Sequence, residues 1–244
     1  MLHRFRVSNF KSLVNAEFRP AGINLVVGPN NAGKTNLCHA LRFLALATRT
    51  PLDEAARLCT AEPWNLLNVY SGADSLELEA NCTLTSEAEE LNFGYILRLT
   101  TGPNGVSRSL AVCSEVLRVT GGELNDQVLL ENTAGKVGLF HEQSPDPDPY
   151  VQTTAPNTAT MLCRLYDLET NRLANLFKRY LGSWGYYNFD PLSDGTLRFL
   201  AMCYLIVAHR QEGSSTPGPR GARLEVGGGP ETTADSSQAS RLTH

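Results

Sequence analysis

The 244 residues include 42% hydrophobic and 19% charged side chains, with a formal net charge of -4. That is enough apolar material for a real core, in one large domain or two small ones, and it excludes both a wholly disordered chain and one drawn to nucleic acid by global charge. Six cysteines (Cys38, Cys59, Cys82, Cys113, Cys163, Cys203) include no Cys-x-x-Cys pair, so ordinary reduced thiols are expected in place of a zinc ribbon or redox motif. The N-terminus has no charged-then-apolar leader, and no apolar run approaches the ~18 residues of a membrane span. A cytoplasmic chain without a membrane partner is therefore expected.

The first twenty residues are locally basic through Arg4, Arg6, Lys11 and Arg19. They begin with the segment Phe5-Arg6-Val7-Ser8-Asn9-Phe10-Lys11-Ser12-Leu13, followed by a second strand to Phe18. Ile23-Asn24-Leu25-Val26-Val27 reads as a short buried strand, and Leu37, Ala40, Leu41, Leu44 and Ala45 recur beyond it at helical spacing. Between them, Gly28-Pro29-Asn30-Asn31-Ala32-Gly33-Lys34-Thr35 is a complete phosphate-binding loop. Its two glycines let the backbone curl so that consecutive N–H groups point at a β-phosphate. Lys34 supplies a point charge to the β/γ-phosphates and is the candidate catalytic residue. Thr35 offers its hydroxyl to Mg²⁺, and the helix that begins there, with Asn36 in its first turn, turns its positive end to the anion.

Farther along, Leu76, Leu78, Ala80, Cys82 and Leu84 alternate, as do Phe93, Tyr95, Leu97 and Leu99; β-rich runs follow over Val112 to Val119 and Val128 to Leu130. This pattern predicts an antiparallel meander, with turns at Gly102-Pro103-Asn104-Gly105 and Thr120-Gly121-Gly122. Ser144 to Asn157, with Asp146 and Asp148 between prolines, reads as a solvated loop. Met161 to Leu181 predicts one amphipathic helix. Leu192-Ser193-Asp194-Gly195-Thr196-Leu197-Arg198-Phe199-Leu200 can be read as an ordinary turn or N-cap followed by a helix. Over Gln211 to His244, more than half of the residues are Gly, Ser, Thr or Pro and none is aromatic. Such a stretch cannot offset its ordering entropy by burial, so disorder is expected for 211–244.

Taken together, Asn9-Phe10-Lys11-Ser12 and Gly28 to Leu37 resemble the opening of the ATPase heads of the SMC, RecF and OLD group, predicted AAA family ATPases with ABC-type heads. Leu192 to Leu200 resembles the signature motif of such heads. The resemblance implies an α/β P-loop fold with a mixed central sheet and an antiparallel β subdomain, spanning residues 1–210. It implies binding of ATP and Mg²⁺ by Gly28, Pro29, Asn30, Asn31, Ala32, Gly33, Lys34, Thr35 and Asn36, with Thr35 on the metal. Ser193, Asp194 and Gly195 would act in trans on the nucleotide of a second copy, making a homodimer, and DNA or a nuclease are candidate partners.

The chain departs from that pattern twice. Pro191 and Leu192 join directly where the group carries a long stretch, so the head is expected to be shortened there. Beyond Arg210 there is no apolar strand ending in an acidic residue, so the head is expected to be incomplete at its C-terminus, as a disrupted reading frame would make it. Val128-Leu129-Leu130-Glu131 has the form of such a strand but precedes the signature. Hydrolysis needs a carboxylate to hold the metal and a group to orient water, whereas the loop amides and Lys34 act without them. Three readings follow: an ATPase of the SMC/RecF/OLD type, a truncated nucleotide-binding module without turnover, and a P-loop enzyme of another class such as a small-molecule kinase.

Overall fold

Alternation of apolar and polar residues over long stretches sets the architecture. In the computed structural model, which describes residues 1–68, 70–101, 109–142, 150–166, 170–186 and 225–226, strands β1 (Leu2–Phe10), β2 (Leu13–Phe18), β3 (Ser75–Ser86), β4 (Glu89–Thr101), β5 (Leu110–Gly121), β6 (Leu124–Thr133), β7 (Lys136–Phe140), β8 (Tyr150–Thr154) and β9 (Glu225–Val226) form one sheet. Its order is β8-β7-β6-β5-β4-β3-β1-β2-β9. The helices are α1 (Lys34–Ala47), α2 (Leu52–Arg57), α3 (Met161–Arg164) and α4 (Arg172–Gly182). The chain is thus an α/β fold dominated by sheet. No helix among the described residues is long and apolar enough to cross a membrane.

The predicted meander forms. Leu76, Leu78, Ala80, Cys82 and Leu84 of β3 and Leu91, Phe93, Tyr95, Leu97 and Leu99 of β4 are all buried on one face, because strand side chains alternate with a period of two. The helices supply the cover. Phe177 of α4 lies against Phe93 and Tyr95, with ring centroids 5.6 and 5.4 Å away, and Phe43 of α1 meets Phe10 of β1 at 6.2 Å. The five α1 positions predicted from periodicity are buried together with Phe43 and Ala47. The turn at Gly121-Gly122 also forms, with Gly121 paired to Leu124. Gly102 to Gly105 lies outside the described residues.

Three expectations are corrected. First, every described strand pair is antiparallel, so the mixed sheet is not what these residues build. Second, Ile23 to Val27 is not a buried strand: Ile23, Leu25 and Val27 are 87%, 70% and 77% exposed. A strand needs a ladder partner, and none of the described strands pairs with this run; its nearest organised feature is Asn24, whose amide bonds both the N–H and the C=O of Ala21. Third, Met161 to Leu181 is two helices. The carboxylate of Glu115 bonds the N–H groups of Met161 and Leu162 at the start of α3, while Lys178 Nζ from α4 donates to the C=O groups of Cys163 and Leu165 at its end. Other elements thus bond both ends of α3, beside the Thr160 side chain that accepts from Cys163 N–H, and Leu165 leaves the helix in extended backbone (ψ 120°).

A β-bulge decides which way β5 faces. Leu99 pairs with Val112 but Arg98 with Ser114, so Cys113 is an extra residue in β5. Leu110 and Val112 face the core before the bulge, and Glu115, Leu117 and Val119 after it. One inserted residue reverses the alternation. A glutamate that simple alternation would send to solvent is therefore fully buried.

Candidate functional site

The loop from Gly28 to Thr35 joins the exposed Ile23–Val27 run to α1. Asn31 (φ 67°) and Gly33 (φ 85°) take left-handed backbone, which bends the chain into the curl that the motif predicts. Gly33 is the N-cap of α1; no side chain caps the helix and no acidic residue stands in its first turn. The first helical bond runs from the N–H of Leu37 to the C=O of Gly33, at 2.9 Å. The amides of Lys34, Thr35 and Asn36 therefore form the positive end of a fourteen-residue helix without a carboxylate competing for it.

Lys34 folds back over the loop. Its Nζ donates to the C=O of Gly28 at 2.7 Å and of Pro29 at 2.6 Å. Together with the bond from Ala32 N–H to Pro29 C=O at 3.3 Å, this closes the curl around its own cation. An ammonium tied to two carbonyls on an exposed loop exchanges them readily for phosphate oxygens, which form stronger charge-assisted bonds. Thr35 is exposed. Among the described residues no group of three or more His, Cys, Asp or Glu could hold a metal. Glu131 sits on β6, paired with Val116 and Gly138 in the meander.

Gly33 carries a second constraint that the motif does not announce. A Cβ there would stand 2.8 Å from Leu13 Cδ2 and 3.5 Å from Ser12 Oγ. Gly33→Ala therefore combines a clash with about 1–2 kcal/mol of left-handed strain. The expected result is an approximately tenfold or greater loss of Mg-ATP affinity, measured by equilibrium titration, with the far-ultraviolet circular dichroism retained. Undiminished affinity would show that the loop tolerates a different curl.

The basic residues of the N-terminus divide by position. Arg4 and Arg6 lie on the outer sheet face with Glu17 and Glu79, Arg4 Nη2 reaching Glu79 at 2.9 Å, and Arg19 binds Glu17 at 2.6 Å. Two carboxylates, Glu17 and Glu79, offset part of these three charges. Lys11 instead points to α1, its Nζ 2.8 Å from His39 Nδ1 and 2.7 Å from the C=O of Cys59. An ammonium can only donate, so Nδ1 accepts and the His39 proton sits on Nε2. Burial, then the charges of Lys11 and Arg42, push the His39 imidazole down to about 4. The unfolded chain, with an ordinary histidine value near 6.5, takes up this proton first on acidification. Stability from this site is therefore present above about pH 6.5 and lost as pH falls towards about 4. His39→Gln is expected to flatten that slope in urea unfolding at pH 7 and pH 5; an unchanged slope would assign the acid sensitivity elsewhere.

Sequence reasoning missed two residues beside the loop and one buried carboxylate in the core. Ser12 and Leu13 reach the loop only through the β1–β2 fold, although Asn9-Phe10-Lys11-Ser12 ahead of the Gly28 to Thr35 segment was a signal. Glu115 had none, because its burial depends on the bulge. The proposed trans-acting residues Ser193, Asp194 and Gly195, and the carboxylates Asp146 and Asp148, lie outside the described residues.

No protein-family profile matches the chain. It is 34% identical over 96 residues to the DNA replication and repair protein RecF of Moorella thermoacetica, covering 38% of this chain and 23% of that protein. It is also 34% identical over 94 residues to an ATP/GTP phosphatase of Helicobacter pylori, covering 38% of this chain and 21% of that one. The chain thus spans less than a quarter of either relative's length. Both matches support a P-loop ATPase-like relationship without fixing a family.

Proposed function

We propose that residues Gly28 to Asn36 bind Mg-ATP in the manner of a P-loop ATPase. The observation that carries this reading is the uncapped start of α1 behind a loop curled on Lys34. The loop amides and α1 dipole hold the β-phosphate, Lys34 moves from the carbonyls of Gly28 and Pro29 to the β/γ-phosphates, and Thr35 ligates Mg²⁺. The partial similarity to RecF and to an ATP/GTP phosphatase agrees with nucleotide use.

At a finer level, the reading is an ABC-type head of the SMC, RecF and OLD type. Ser193, Asp194 and Gly195 then complete a second copy's nucleotide site in an ATP-dependent homodimer. DNA is the candidate target, on the strength of the RecF similarity, with a nuclease as a candidate partner. Turnover is a separate question, because hydrolysis also needs a carboxylate to hold the metal and a group to orient water. The second reading is a module that binds nucleotide without hydrolysing it.

The deciding experiment pairs equilibrium binding of Mg-ATP to the purified chain with phosphate release under the same conditions. Saturable binding establishes the first claim. Release that follows the same saturation supports an ATPase, binding without release supports the non-hydrolysing module, and phosphate found on an acceptor molecule instead of in water identifies a kinase. Absence of binding overturns the proposal.

A further inference from the structure

The β1–β2 turn is built with more constraint than a hairpin connection needs. Phe10 pairs with Leu13 across the two-residue turn Lys11-Ser12, and both Asn9 (φ 57°) and Lys11 (φ 50°) take left-handed backbone. Asparagine tolerates that region, but lysine has no local device that favours it. The surroundings hold it there instead. The N–H of Lys11 donates to the C=O of Leu66 at 2.7 Å, the N–H of Asn68 donates to the C=O of Asn9 at 2.8 Å, and Asn9 Nδ2 donates to the C=O of Ser75 at 3.2 Å. Lys11 Nζ is fixed by Cys59 and His39. Thus the rear of the turn is anchored to the segment that follows α2 and to the start of β3.

Its front meets the phosphate loop. Asn36 Nδ2 donates to Ser12 Oγ at 2.7 Å, and Leu13 occupies the space beside Gly33 that a Cβ would fill. We infer that Ser12 and Leu13 are positioning residues for the nucleotide site: they hold Gly33 and Asn36, and with them the first turn of α1, in the geometry that receives phosphate. This inference rests on the reading of Gly28 to Asn36 as a nucleotide site. A strained turn, anchored behind and touching the loop in front, is a rigid wall against which the first-turn amides are set before ligand arrives. Preorganisation of this kind raises affinity by removing an ordering cost from the binding step.

The test uses the full chain with Mg-ATP as the probe. Ser12→Ala is expected to weaken binding about threefold to tenfold, the range one net hydrogen bond supplies, while the unliganded thermal midpoint stays put because Ser12 is exposed. Ser12→Thr, which keeps the acceptor oxygen, restores wild-type affinity. In a double-mutant cycle, Ser12→Ala adds nothing to Asn36→Ala, since both remove one bond. Unchanged affinity in Ser12→Ala, or fully additive losses in the cycle, overturns the inference while Lys34-dependent binding by the unaltered chain still stands. If the unaltered chain shows no Lys34-dependent binding, the nucleotide reading falls and this inference falls with it.

Discussion

Lys34→Ala should lose Mg-ATP affinity by about a hundredfold or more. Each charge-assisted hydrogen bond between an ammonium and a phosphate oxygen is worth about 1.5–3 kcal/mol, and removing a cation that serves two phosphates reaches that factor with either value doubled. Fold stability should barely move. In the free protein Lys34 donates to the carbonyls of Gly28 and Pro29 on an exposed loop, and water replaces the ammonium at both oxygens when it is removed. The measurement is a titration with a fluorescent ATP analogue beside a thermal melt without ligand. Loss of affinity with an unchanged melt places Lys34 in the binding step. A lowered melt would instead make it a structural clasp for the loop, and retained affinity would show that nucleotide binds elsewhere.

Glu115→Ala should be the most damaging single change to stability, costing about 3–5 kcal/mol, the range for breaking a buried charged network by removing one partner. The carboxylate accepts from Tyr95 OH at 2.9 Å, from Met161 N–H at 2.6 Å and from Leu162 N–H at 3.1 Å. Asn132 bonds it as well. Asn132 also accepts, through Oδ1, the N–H of Gly135 in the β6–β7 turn at 2.9 Å. Removing Glu115 therefore leaves donors from β4, α3 and β6 unpaired in the core at once. Tyr95→Phe removes only one of these bonds and should cost about 1–2 kcal/mol. Denaturant unfolding of both variants checks the ranking; near-equal losses would mean that the Tyr95 bond carries the network.

The same residue gives a pH dependence with a definite sign. Burial holds the Glu115 carboxyl above the usual carboxylate range, against the opposing pull of its four donors. Between the ordinary value and the raised one, the folded state keeps a proton that the unfolded chain has released. Stability from this site is thus full below the ordinary value and falls as pH rises through that window. His39 acts in the opposite direction, losing stability as pH falls towards about 4. A Glu115→Gln variant should lose the first slope and keep the second.

Much of the site was legible in the sequence because its logic is local. The curl of Gly28 to Thr35 depends on which residues tolerate left-handed backbone, and the left-handed φ values at Asn31 and Gly33 fall within that motif. The buried face of α1 and the apolar faces of β3 and β4 were equally plain, since periods of 3.6 and 2 are properties of a single element. By itself, then, the chain's order of residues determined the curl of Gly28 to Thr35, the helix behind it and the meander.

Tertiary structure decided what those elements do to one another. Ile23 to Val27 has the composition of a core strand, yet burial requires a second element to lie on it, and Leu25 remains 70% exposed. Helix formation over Met161 to Leu181 was a sound periodic reading until Glu115 and Lys178 satisfied the two ends of α3 separately. Glu115 itself faces the core because one extra residue at Cys113 shifts the register of β5 against β4. Ser12 meets Asn36 across 24 positions of chain only because β1 turns back into β2 beside the loop. Each of these outcomes depends on a partner distant in the chain: local patterns fix the conformation of an element, whereas pairing register and packing fix its neighbours, and those neighbours determine which polar groups are buried and which loops are held in place.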